Sequence, residues 1–158
     1  MSQHKATCVW KQTSPDFLRG RYSREHTWTF DGGLTVPASA SPAVVPLPYS
    51  IPANIDPEEA FVAALSSCHM LTFLHVARLA GFVIESYEDE AVGHMAPNER
   101  RVPWVAKVIL NPKIVYGGEK RPSAEELARL HHQAHEQCFI SQSVKTEVVV
   151  AGVEEGAG

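Results

Sequence analysis

Asp56-Pro57-Glu58-Glu59-Ala60-Phe61 opens a stretch that runs through Leu65, Ser66-Ser67-Cys68-His69-Met70 and Phe73 to Ala80-Gly81, and the rest of the chain is organised around it. Asp56 is a good N-cap, Pro57 suits the first helical position, and Glu59 completes a capping-box pattern. Gly81 is placed to end the helix near Ala80. From Ala60 to Ala77 there is no Asp, Glu, Lys or Arg. That run approaches the ~18 apolar residues of a spanning helix. Ser66, Ser67, Cys68, His69, Thr72 and His75 interrupt it, which favours a buried core helix. With nearly every face apolar or small, the helix is expected to be buried on several sides. A ~36 Å rod of this kind in so small a chain calls for a second subunit to cover it.

Outward from this helix, the sequence alternates between strand and helix signals. Ala6 to Lys11 and His26 to Phe30 read as strands, followed by an Asp31-Gly32-Gly33 turn. Residues 34–55, with Pro37, Pro42, Pro46, Pro48 and Pro52, read as a long irregular loop. Val83 to Gly93 and Trp104 to Leu110 are strand-like, with a polar turn at Pro97-Asn98. Ser123-Ala124-Glu125-Glu126 is a second capping box. Behind it Leu127, Leu130, His131, Ala134 and Cys138 recur at helical spacing on one inner face. Lys145 to Val150 is a last strand, and Glu154 to Gly158 a frayed tail. The order implies an α+β fold in one domain over residues 1–158.

The chain has 158 residues, 44% apolar and 20% charged, with a formal net charge of -4. That balance gives no electrostatic reason for a nucleic-acid partner. Met1-Ser2-Gln3-His4-Lys5 lacks the apolar core of a secretory signal, so a soluble, cytoplasmic protein with no membrane partner is expected. Three cysteines, Cys8, Cys68 and Cys138, in a reducing compartment point to thiol chemistry or metal binding rather than a structural disulfide framework.

Cys68 and Cys138 each face inward by periodicity, which also suits two small buried hydrophobes. A reactive Cys68 needs more. It lies about a dozen residues into its helix, beyond reach of the N-terminal dipole, and apolar burial raises a thiol pKa. An imported cation is therefore required, from Arg19, Arg21, Arg24 or a protonated histidine. A zinc site is the rival use, with His131, His135 and Cys138 beside Cys68 or His69.

Asp56-Pro57-Glu58-Glu59-Ala60-Phe61 through Ser67-Cys68-His69-Met70, with His135-Glu136-Gln137-Cys138-Phe139-Ile140-Ser141, resembles the OsmC/Ohr family of osmotically inducible protein C and organic hydroperoxide resistance proteins. The likeness spans about Arg24 to Val150. It implies antiparallel sheets packed around a long buried central helix in an intertwined homodimer. It also implies a thiol peroxidase without cofactor or metal, in which Cys68 attacks an organic hydroperoxide and Cys138 resolves the sulfenic acid as a disulfide. Arg24 and Glu58 take the family's activating roles, with Glu59 left as the capping residue. Phe61, Leu65, Leu71 and Phe73 are the expected apolar contacts for a bulky alkyl or fatty-acid peroxide. An external dithiol or lipoyl-type reductant completes the cycle. His69 stands where hydroperoxide resistance members typically have Phe, and Phe139 where many have Pro. Those departures place the chain among the broader OsmC-like proteins and keep a non-catalytic apolar-ligand binder as an alternative.

Overall fold

The computed structural model describes residues 2–153; the tail expected at Glu154 to Gly158 lies outside the described residues. The chain divides into two compact units, one ending at Ala60 and the other starting at Phe61.

The first unit carries a three-stranded antiparallel sheet in the order β1-β2-β3, with β1 at Ala6–Val9, β2 at His26–Phe30 and β3 at Thr35–Ala38. The third strand corrects the expectation of an irregular loop throughout 34–55. Its Pro37 signals a break, yet β3 is an edge strand, where a missing N–H costs no ladder bond. The rest of the segment folds back on β3. Ser39 N–H donates to Ile55 O at 3.0 Å, and Ile51 N–H donates to the buried Ser39 Oγ at 2.9 Å. Ahead of β2, Trp10, Phe17 and Tyr22 form a ring cluster with centroids 4.5–5.7 Å apart.

The long helix α1 spans Pro57–Leu79. Its start is the capping box read from the sequence: Glu59 N–H donates to Asp56 Oδ1 at 2.7 Å, and Asp56 N–H to Glu59 Oε2 at 3.2 Å. Its end is a Schellman motif. Gly81 at φ +81° donates to Arg78 O, and Phe82 N–H reaches back to Ala77 O, each at 3.0 Å. At 23 residues and a mean hydropathy of 1.6, α1 is long and apolar enough to cross a bilayer. Here its inner stripe is packed as a protein core.

The second unit also holds β4 (Val83–Asp89), β5 (Val92–Pro97), β6 (Pro103–Leu110), β7 (Pro112–Gly117), α2 (Ala124–Gln137) and β8 (Glu147–Val150). The single strand expected over 83–93 is two, β4 and β5, which break at Glu90-Ala91 to enter different sheets. β4 pairs with β7, a strand the sequence reading did not find. β5, β6 and β8 form the other sheet, in which β6 and β8 run parallel rather than antiparallel.

The helix α1 serves both sheets of this unit. Leu65 packs with Val108 and Leu110 of β6, while Phe73, Val76 and Ala77 pack with Phe82, with Leu130 and Ala134 of α2, and against β4 and β7. Each fully buried side chain of this size stabilises the fold by about 1.5–3 kcal/mol. Burial is confined to the stripe Leu65, His69, Phe73, Val76 and Ala77. Leu71 and Leu79 are exposed, so a single chain buries α1 on one side and not on several.

Candidate active site

Cys68 lies near the middle of α1, on a flank of the core stripe, and is half-buried. Ala64, Leu71, Thr72 and His75 fall within four or seven residues of it, so they share its face. Thr72 Oγ1 donates to Cys68 O at 2.9 Å, tying the helix at this turn. Together with Phe139 and Ile140 beyond α2, these residues line an open groove of about 740 Å³.

Cys138 is the C-cap of α2, with extended backbone and its N–H donating to His135 O. Its side chain is wholly buried and does not reach the groove. The two thiols are near enough for Cys138 to act on the titration of Cys68. Ser141 N–H donates to Cys138 Sγ at 3.4 Å, and the amides of Ile140 and Phe139 bear on Cys68. A two-helix arrangement thus gives one sulfur access to solvent and seals the other directly behind it.

Burial pushes the Cys68 thiol up, and the neighbouring Cys138 thiol adds to this. The Ile140 and Phe139 amides act the other way, since they stabilise a thiolate, but the balance still lies above the ordinary thiol value. The need for a cation, argued from the position of Cys68 in its helix, therefore stands on this geometry too.

Of the other expected site residues, Arg24 and Glu58 belong to the first unit. Arg24 sits ahead of β2 with its guanidinium bound to the carbonyls of Gly20 (2.9 Å) and Tyr22 (2.6 Å) and stacked 3.7 Å over the Tyr22 ring. Glu58 is half-buried in the first turn of α1. Of the four expected substrate contacts, Leu71 alone lines the groove. Leu65 and Phe73 have no exposed surface and belong to the core, and Phe61 lines a separate depression with Trp104 and Val144. Their closeness in sequence misled because each residue turns the helix by about 100°. Cys8 is exposed on β1.

The His131–His135–Cys138 arrangement does not gather as a zinc site. Among the described residues no group of three or more His, Cys, Asp or Glu side chains comes together to hold a metal. His131 turns inward instead and hydrogen-bonds His69, Nδ1 to Nε2, at 3.0 Å. The inward phase of His131 was visible in the α2 periodicity; its partner was not. A second contact missed from sequence joins Ser66 of α1 to Asp89 of β4, whose other oxygen accepts the Asn111 N–H at 2.6 Å.

The chain is thus an α+β protein with a half-buried cysteine on a long helix and a buried, neighbouring cysteine at the end of a second helix. Residues 52–151 match the family model described as OsmC-like protein, and the chain belongs to that family. An OsmC-like protein of unknown function from Vibrio cholerae is 53% identical over 95% of this chain and 98% of its own, with a TM-score of 0.91. An organic hydroperoxide resistance protein from Elizabethkingia anophelis shares the fold at 18% identity, covering 95% and 96% of the two chains, with a TM-score of 0.69. The organic hydroperoxide resistance protein OhrB of Bacillus subtilis does so at 20% identity, with coverage of 94% and 95% and a TM-score of 0.61. None of the curated proteins matches the chain.

Proposed function

We propose that this chain is a two-cysteine thiol peroxidase that reduces organic hydroperoxides. The observation that carries the reading is the unequal access of two adjacent sulfurs, Cys68 in the apolar groove and Cys138 sealed behind it. In the proposal, the Cys68 thiolate attacks the terminal peroxide oxygen. The O–O bond breaks, Cys68 becomes a sulfenic acid, and the alkoxide leaves as an alcohol after taking a proton. Cys138 then condenses with the sulfenic acid, releasing water and preventing irreversible overoxidation. A dithiol or lipoyl-type reductant returns both thiols by exchange.

The activating roles that family resemblance gives Arg24 and Glu58 belong to the same proposal, as do a cytoplasmic site of action and a homodimer. The exposed apolar residues of α1, Leu71 and Leu79, support a partner subunit. The raised Cys68 thiol favours a second reading, an apolar-ligand binder without turnover.

Thiol counting separates the two. One equivalent of cumene hydroperoxide is expected to consume two thiols and leave a Cys68–Cys138 disulfide, and Cys68→Ser to abolish the response. Survival of both thiols would overturn the peroxidase reading in favour of the binder.

A further inference from the structure

His69 directly follows the exposed sulfur, and His131 lies seven residues before the sealed one. Seven residues are two turns, so His131 and Cys138 share one side of α2 about 10 Å apart along its axis. The two imidazoles are buried, His69 completely and His131 to all but 3%. Their rings stack at 9° with centroids 5.3 Å apart, and His131 also stacks on Phe73 at 4.5 Å. Among the described residues theirs is the one hydrogen bond between side chains of α1 and α2. His69 Nδ1 is buried without a partner. We assign the shared proton to His69 Nε2, because this leaves a lone pair at Nδ1 rather than a stranded N–H.

Two buried imidazoles with one unsatisfied nitrogen cost more desolvation than an apolar pair of equal size. The rest of the α1–α2 contact is apolar, through Phe73, Val76, Ala77, Leu130 and Ala134. Such packing tolerates small slides and rotations, whereas a hydrogen bond is lost within a few tenths of an ångström or a few tens of degrees. We propose that the His69–His131 hydrogen bond is a positioning contact that sets the register of α2 on α1 and thereby the approach of Cys138 to Cys68. The inference rests on the two-cysteine reading. It assigns the pair to the second step, in which the Cys68 S–O bond breaks, the S–S bond forms, and the Cys138 proton leaves with the hydroxyl as water. The first step, attack on peroxide by Cys68 of α1, does not use the Cys138 sulfur, although residues of α2 and its exit line the same groove.

The test uses the full chain with His131→Phe, which keeps the aromatic stack and deletes the acceptor. His131→Asn restores an acceptor near the Nδ1 position. Two quantities are measured: the rate of Cys68 sulfenic acid formation with cumene hydroperoxide in a Cys138→Ser background, and the effective concentration of Cys138 toward Cys68 from a glutathione redox titration. In His131→Phe the first is expected to stay within about twofold and the second to fall about tenfold, the scale of one buried hydrogen bond. His131→Asn should recover most of the loss. An unchanged glutathione equilibrium in His131→Phe, a parallel fall of both quantities, or no recovery in His131→Asn would overturn the proposal. Should His131→Phe not fold, His69→Met removes the donor instead and His69→Gln restores it, with the same outcomes. The glutathione titration needs no peroxide, so native protein inert to hydroperoxide but sensitive to these changes would sink the peroxidase reading alone.

Discussion

The Cys138 thiol, wholly buried at the end of α2, neighbours the Cys68 thiol in the middle of α1 and helps to push it up. Removing the buried sulfur alone should therefore leave peroxide attack intact and abolish protection. In Cys138→Ser, excess hydroperoxide is expected to drive Cys68 through sulfenic to sulfinic acid, a mass gain of two oxygen atoms. Native protein should instead lose two hydrogens to the disulfide. Intact-mass measurement after stepwise peroxide addition distinguishes these products.

Acid should destabilise the fold through the buried imidazoles. Burial lowers the pKa of His69 and of His131 to about 4 each; a positive His135 adds to the effect on His69, and Asp89 opposes it. An unfolded imidazole titrates near 6.5. Between these values the unfolded chain binds protons that the folded chain refuses, so stability is full above about pH 6.5 and declines as pH falls toward 4. The loss for the pair is on the order of a few kcal/mol. Urea midpoints at pH 7.5 and pH 5 read it directly, and His131→Phe should flatten the slope.

Gly93 of β5 is a packing position that tolerates no side chain. A Cβ there would stand 2.6 Å from Val62 Cγ2 on α1. Gly93→Ala is expected to cost about 1–3 kcal/mol from overpacking. Val62→Ala in the same chain should return part of that loss, a coupling that a double-mutant cycle in urea measures.

A homodimer that covers α1 makes stability depend on concentration. Thermal midpoints are expected to rise as protein concentration is increased. Leu71→Asp should lower them at high concentration and shift the sedimentation coefficient toward that of a monomer. An invariant midpoint and a monomeric sedimentation coefficient for the native protein would remove the dimer from the proposal.

Features with local causes were legible in the sequence. Both capping boxes and the Gly81 terminus depend on residues a few positions apart, and the structure places them as read. Strands β3 and β7 were not, because Pro37 and Pro112 look like breaks until the strand's place in its sheet is known. The cysteine pair was visible as two inward positions and gained meaning from the flanking motifs. The groove was harder to read. Leu65 lies three residues before Cys68, yet faces β6, whereas Leu71, three residues after it, faces solvent. Which way an all-apolar helix turns is decided by the sheets that meet it, and sequence period alone does not contain that.

The two sulfurs also differ in what their backbone permits. Cys68 is embedded in an uninterrupted helix, with the Thr72 hydroxyl tied to its carbonyl. Cys138 stands where the α2 ladder has already stopped, leading into the short turn at Ser141–Ser143. The disulfide of the proposed cycle would thus ask for backbone adjustment after α2 rather than at Cys68. Oxidation state would then be written on the surface at Phe139–Ile140, the exposed lip of the groove.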